Sequence, residues 1–437
     1  MSTAETYRHI FKAHEANLNG LSESFVHRAK LGAIEHFERQ GMPRRRDEAW
    51  RFTPMQPFAK AQLNPIFYPI DHRHVKPGDL NTYDGIDGHK LVFVNGSYQE
   101  HLSTIGDLPE GMVLSSMNEA LQTHSDFIER FFNKHARNDR EVFTALNTAF
   151  FGDGIFIHVP ADVQLEKPIF WIFASNDNST FITNPRNLIV AERGSSLKII
   201  KDHQSFAETN YFINSASEIH LEEDARLEMT LIHNESLNGL HYVGMKEVHQ
   251  KARSHFKLNT VSLAGKLVRN NVNVTLCEPE ATCDVKGLFY GNDAEHFDNN
   301  IRVEHMAPNC ESNQLFKGLL DDQSKGVFTG RIFVDEEAQQ TNAYQTNKNL
   351  LLSDAAQVNT QPQLEIYADD VRCSHGATTG QIDRDALFYL QARGLPDAKA
   401  RALLNYAFAA EIIEDIDTEP IRDYLNEIFK DKLDLDL

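Results

Sequence analysis

The sequence predicts a mainly β fold, a parallel β-helix core flanked by N-terminal and C-terminal helical regions. From residue 154 onwards, short segments rich in β-branched and aromatic residues follow one another: "IFIHV", "IFWIF", "LIVAE", "LKIIKD", "EIHLE", "RLEMTLIH", "HFKLNTVSL", "NVNVTL", "CDVKGLFY" and "IRVEHM". Many alternate apolar with polar residues, as half-buried strands do. Gly, Asn, Asp, Glu or Pro fill many of the gaps, and no long helical pattern intervenes. Such an array is a sandwich, a propeller or a solenoid. A sandwich of this many strands would be unusually large, and no repeated Trp-Asp marks propeller blades. A β-helix tolerates the variable spacing, although no strict short repeat is visible.

The first 65 residues read as helical. In "SESFVHRAKLGAIEHFERQGMP", Ser22 is the expected N-cap, and Phe25, Ala29, Ala33 and Phe37 recur at helical spacing. Gly41 and Pro43 stop the helix. The basic run Arg44, Arg45, Arg46 reads as a solvated face. "KLVFVNGSYQEHLS" predicts a hairpin turning at Asn95-Gly96, and residues 114–150 return to helical patterning. This divides the chain into a mostly helical region with a short hairpin (1–153), the β-helix (154–382) and a helical tail (383–437).

In the tail, Asp383 is the expected N-cap of "RDALFYLQARG", which Gly394 ends, and Pro396 opens the next helix. There Leu403, Tyr406, Ala407, Ala410 and Ile413 form a stripe at helical spacing. The stripe either packs onto the solenoid or docks a partner. Removal of residues 395–437 is expected to leave the solenoid folded.

Composition excludes several function classes. Of 437 residues, 41% are hydrophobic and 24% charged, enough for a large core. Asp and Glu outnumber Lys and Arg by 63 to 43, a formal charge of −20, which repels phosphate backbones and anionic membranes. No apolar run is long enough to span a bilayer and no signal or transit pattern opens the chain, so a cytoplasmic location is expected. There is no P-loop, no dinucleotide-binding G-x-G-x-x-G, no G-x-S-x-G elbow and no C-x-x-C. The four cysteines, Cys277, Cys283, Cys310 and Cys373, are too scattered for a disulfide framework. Cys277 and Cys283 read as small buried side chains, and His305 and Cys310 as core or turn residues.

The densest chemistry lies in "ADDVRCSHGATTG", with Asp369, Asp370, Cys373 and His375. On an extended strand, positions 373 and 375 share a face. Thiolate and imidazole suit iron, zinc or copper, but two ligands do not complete a site. A nucleophile–base pair is a second reading. A third is a turn made by Gly376 and Gly380 in which Cys373 and His375 only pack. The stretch lies where the strand array ends, so a second chain could supply the missing ligands.

"LEIYADDVRCSHGATTGQID" followed by "LFYLQARGL" resembles the C-terminal signature of the SufB/SufD family of iron–sulfur cluster assembly scaffolds. "GMPRRRDEAWRFTP", "DGIFIHVPADVQLEKPI", "NQLFKGLLDD", "GVFTGRIFVDEEAQQTNAYQTNKNLLLS" and "TQPQLEIYADD" agree with it. "CSHGA", "NYAFAAE" and the lack of any cysteine before Cys277 resemble the SufD type within that family. The resemblance implies a right-handed parallel β-helix whose end pairs with SufB and whose C-terminal helices bind the ATPase SufC. It also implies a non-catalytic scaffold role in which ATP hydrolysis belongs to SufC. His375, and with less weight Cys373, is implied in iron acquisition at the SufB interface. The isolated chain is expected to hold no tight cofactor, only transient iron or a nascent cluster in the complex, and could form a homodimer when alone. The alternatives are a purely architectural subunit and, further off, a β-helix enzyme acting on carbohydrate. The latter needs a groove of clustered acids and bases, which the sequence does not reveal.

Overall fold

The computed structural model describes all residues except 1–2, 16–23, 56–57, 59–62, 68–71, 73, 84, 137–140, 177–179, 206–210, 235–239 and 436–437. Its strands alternate between two sheets, one of 11 and one of 10 strands. Each strand of the solenoid pairs in parallel with the strand one coil earlier, so Arg226 lies beside His255 and His255 beside Thr282. About seven coils stack in this way, as the array predicted. The sheets begin before the predicted boundary: His89–Val94 joins the smaller sheet beside Ile169–Ser175, and Val113–Ser116 joins the larger one antiparallel to Ile155–Val159.

The coils turn on a hidden repeat. One corner of successive coils places Gly194, Asp224, Arg253, Glu280, Asn309 and Gln340 at positive φ. The N–H of Asp224, Arg253, Glu280 and Asn309 each reaches the carbonyl of the next coil's corner, so the ladder of backbone bonds continues through the turns. Left-handed geometry is uncommon outside glycine. The pairing along the stack holds it here, and the residue type is free to vary.

Inward-facing side chains form the main core, which includes Trp171, Phe173, Leu231, Val272 and Phe316. Both outer faces are also covered. Phe143 and Phe150, from the helix Val142–Phe150, pack with Trp50 and Phe58 on Ile182, Phe212 and Val243 of the larger sheet. Ala409, Ile412, Ile421, Leu425 and Phe429 of the tail pack on Ile200, Ile232, Val261 and Leu288 of the smaller sheet.

The predicted caps and turns hold with one shift. The second helix spans Phe25–Gln40 and is capped by Ser24, whose side chain accepts from the His27 N–H; Ser22 lies outside the described residues. Gly41 ends it at φ 67°. Asn95 and Gly96 both take positive φ, the geometry of a type I′ hairpin turn between His89–Val94 and Ser97–Tyr98. Arg44, Arg45 and Arg46 are exposed. Asp383 caps Arg384–Ala392, and Asp397–Ile413 follows Pro396. A third helix, Glu419–Lys432, lies within the predicted helical tail, although its own bounds were not read from the sequence.

Candidate functional site at the open end of the solenoid

At the first coils the sheets end in antiparallel strands, Ser97–Tyr98 and Val113–Ser116, whereas among the described residues no further strand covers the last coil. Gln357–Ile366 ends the larger sheet and Val371–Gly380 ends the smaller one. Each pairs on one side only, and side chains along both are half-buried or exposed. Pro362 sits in the first of these strands, a position an edge strand tolerates because no partner needs its missing N–H. Exposed Tyr344, Ile366 and Tyr367 surround this end.

Residues 371–380 form strand throughout, so the turn reading of "CSHGATTG" is overturned. Parallel pairing with Thr341–Leu351 leaves no room for a reversal at Gly376, which lies in register with Thr346. Cys373 is in register with Ala343 and packs with Val371 and Leu364 against Ile332 and Val334. Its half-burial pushes the thiol pKa up, against a downward pull from the Ala343 backbone. His375, on the same strand face, is exposed. The two donors therefore share the inward face of an open coil, and Cys373 has a packing role as well. Asp369 and Asp370 are exposed in the preceding turn, where the Asp370 carbonyl accepts from the Gln340 N–H. Among the described residues, no three His, Cys, Asp or Glu side chains are arranged to hold a metal ion.

His375 also terminates a polar column. It is in register with Gln345, and Gln345 with Gln314. The Gln345 amide donates to the Gln314 carbonyl oxygen at 2.9 Å, and both side chains are fully buried. Gly330 faces Gln345 across the interior, where any Cβ would collide with the amide. Deeper in the solenoid the interior becomes basic: Lys201, Lys246, His203 and His233 are all buried. Burial holds the Lys201 amine well below its ordinary pKa and pushes Lys246 down to about 8. The strand alternation did not distinguish these inward-facing lysines from solvated ones.

The tail stripe is divided by the structure. Ile413 is buried against the smaller sheet, and Tyr406 is half-buried, donating to Asn426 at 3.0 Å. Leu403 and Ala410 are half-buried and Ala407 is exposed. Ala402 and Asn405 are also buried, and Ala409 and Ile412 pack with Ile413 on the smaller sheet. The contact is bound further by ion pairs from Lys257 and Lys286 to Asp415 and from Lys317 to Glu411. The tail is thus part of the solenoid's own core, and its removal would bare Ile200, Ile232 and Val261. The expectation that residues 395–437 can be deleted from an intact solenoid does not fit this packing.

Two features escaped the sequence. A polar groove of about 910 Å³ runs along the outer face of the larger sheet, lined by Glu247, His249, Arg302, Glu304, Arg331 and Gln363 among others. Two of its carboxylates are engaged: Glu247 accepts from Asn273 at 2.7 Å, and Glu304 pairs with Arg302. Cys277, expected to be buried, is half-buried on this outer side beside His249, whereas Cys283, Cys310 and His305 are buried as expected. Val272, Val274 and Leu276 face the core, so alternation carried one residue past the strand places Cys277 on the outer side.

Comparison with known proteins assigns this architecture. Residues 173–408 match the family model "SUF system FeS cluster assembly, SufBD core domain", and residues 1–170 match "SufBD protein N-terminal region". An iron–sulfur cluster assembly SufBD family protein of Synechocystis is 32% identical over 418 residues, covering 92% of this chain and 90% of its own. The iron–sulfur cluster assembly protein SufD of Escherichia coli is 31% identical over 400 residues, 89% of each chain. The protein of the same name in Bacillus subtilis is 27% identical over 338 residues, covering 76% and 77%. No described helix is long and apolar enough to cross a membrane. A parallel solenoid with both family segments in place makes the chain a member of the SufB/SufD family of the SUF iron–sulfur cluster assembly system.

Proposed function

We propose that the chain is a SufD-type, non-catalytic scaffold subunit of a cytoplasmic SUF complex. It pairs with SufB through the uncapped coil, recruits the ATPase SufC through its C-terminal helices, and contributes to iron acquisition. The observation that carries this reading is the uncapped last coil itself: two edge strands lie open, with Cys373 and His375 on one inward face. Unpaired strand edges favour continuation by another chain. A thiol and an imidazole at that seam make half of a site for incoming iron, which is cargo here, and SufB supplies the rest. Resemblance to the two bacterial SufD proteins supports the assignment of type.

The test is complementation of a strain lacking its own SufD under iron limitation, together with pull-down of the complex. His375→Ala is expected to keep the complex and lose cluster formation. Full complementation removes the iron role and leaves an architectural subunit. Loss of the complex makes His375 an interface residue only.

A further inference from the structure

The outer face of the larger sheet carries a second set of ligating side chains, away from the open end. His220 and His249 are register neighbours on the strands Tyr211–Leu221 and Leu240–Gln250, with rings stacked at 6.3 Å. Cys277 follows the next strand, Leu267–Leu276, in which Thr275 is in register with His249. His135 enters from the segment after the helix Ser125–Phe131; its ring lies 3.2 Å from that of His249 and 4.8 Å from that of His220. The assembly reading uses none of these four residues.

The position of His135 is built into the fold. The Glu218 carboxylate accepts from the backbone N–H groups of Asn133, Lys134 and His135 at 2.6, 2.9 and 3.0 Å, and pairs with Arg186. The Arg186 and Glu218 side chains are only 0% and 1% exposed. A fully buried ion pair carries a large desolvation cost. Here it fixes the segment that delivers one imidazole to the others.

Two further observations point to a ligand. The Cys277 Sγ lies 3.5 Å from the His249 Nδ1. Zinc bonds of about 2.3 Å to sulfur and about 2.0 Å to nitrogen, opened to a tetrahedral angle, place those two atoms roughly 3.5 Å apart. His220 is 7% exposed, and its Nε2 is buried without a hydrogen-bond partner while the ring engages the Phe131 backbone. A ligating histidine commonly has this arrangement, one nitrogen fixed by a carbonyl and the other left for the metal. The His135 and His249 rings stack, so the donors do not yet surround one point. Binding requires the half-buried His135 ring to swing off its neighbour, a rotamer change.

We propose that Cys277, His249 and His220, with His135 as the fourth donor, bind a zinc-class divalent ion, the Cys277 thiol releasing its proton to solvent. The ion would join the 132–136 segment to three successive coils. This site goes beyond the assembly reading and does not depend on it.

The experiment titrates chelator-treated full-length protein with Co²⁺ and then Zn²⁺. One equivalent of Co²⁺ is expected to give tetrahedral visible bands and a near-ultraviolet thiolate charge-transfer band, both displaced by Zn²⁺. Cys277→Ser should abolish the charge-transfer band. His220→Asn and His249→Asn should each weaken binding by about tenfold or more. A Cys373→Ala/His375→Ala double variant should retain the whole spectrum. No tetrahedral spectrum in the parent protein, its persistence with the charge-transfer band in Cys277→Ser, or its loss in the double variant would each overturn the proposal. Because Cys277→Ser is nearly isosteric at a half-buried position, it decides the question even if a histidine variant fails to fold.

Discussion

His375 stands in register with Gln345, one coil beyond a buried glutamine pair, and is the first member of that column to reach solvent. Its backbone is held by the strand ladder and its imidazole by little else. His375→Ala should therefore shift stability by no more than about 0.5 kcal/mol. Cluster formation in cells should fall sharply. Cys373→Ala should reverse this balance: it removes a half-buried packing group, costing about 1 kcal/mol, with a smaller effect on assembly. Denaturation midpoints beside complementation growth rates separate the two. Equal assembly defects from both variants would contradict the distinction.

Lys246 should be a destabilising residue at neutral pH. Its amine finds no hydrogen-bond partner, and no acid offsets its burial among its neighbours Lys201, His203 and His233, which burial also holds toward their neutral forms. Burial lowers its pKa from 10.5 to about 8. Below pH 8 the amine is protonated in both folded and unfolded chains, so the full cost of burying the charge is present. Between pH 8 and 10.5 only the unfolded chain holds the proton, and the cost fades as pH rises. Lys246→Met should therefore stabilise the protein by about 3 kcal/mol at pH 7, with the gain vanishing toward pH 10.5. A pH-independent difference between parent and variant melting curves would show that the amine is not buried as a charge.

Glu218→Gln should be among the most damaging single changes. It leaves the Arg186 guanidinium buried without its counter-charge and weakens the acceptor for four backbone N–H groups, those of Asn133, Lys134, His135 and Ala136. Breaking one side of a buried pair costs about 3–5 kcal/mol. Hydrogen exchange should also quicken in residues 132–136 more than in the strands. A loss below 1 kcal/mol would mean that water reaches the pair.

How much of this was legible in the sequence depends on which rule each residue obeys. The strand array was legible because inward positions such as Leu227, Met229 and Leu231 alternate with outward ones. The coil repeat was not, since Asp224, Arg253, Glu280 and Asn309 share a backbone conformation and not a side-chain type. The pairing of Cys373 with His375 on one face was legible because both lie on one strand. The approach of His135 to His249, and of His249 to Cys277, was not, because separate elements meet there only after the sheet stacks. The inward lysines were hidden by the period-2 rule itself, which gives a residue's face but not whether water reaches it.

The tail offers the sharpest separation of packing from docking. Ile412 lies in the buried face of Asp397–Ile413, whereas Ala407 is exposed and Leu403 half-exposed on the same helix. Ile412→Asp would bury an unpaired carboxylate against Ile232 and Val261 and should prevent stable folding. Ala407→Glu touches none of that core and should leave the melting temperature nearly unchanged. If the tail docks the ATPase subunit through its outer stripe, Ala407→Glu and Leu403→Asp should each weaken capture of that subunit at least tenfold, the scale of a contact near an interface centre. SufB binding should be unaffected, because the open coil lies on other strands. Unchanged ATPase capture by both folded variants would place docking elsewhere, with exposed Phe388 and Tyr389 on Arg384–Ala392 as the next surface to alter.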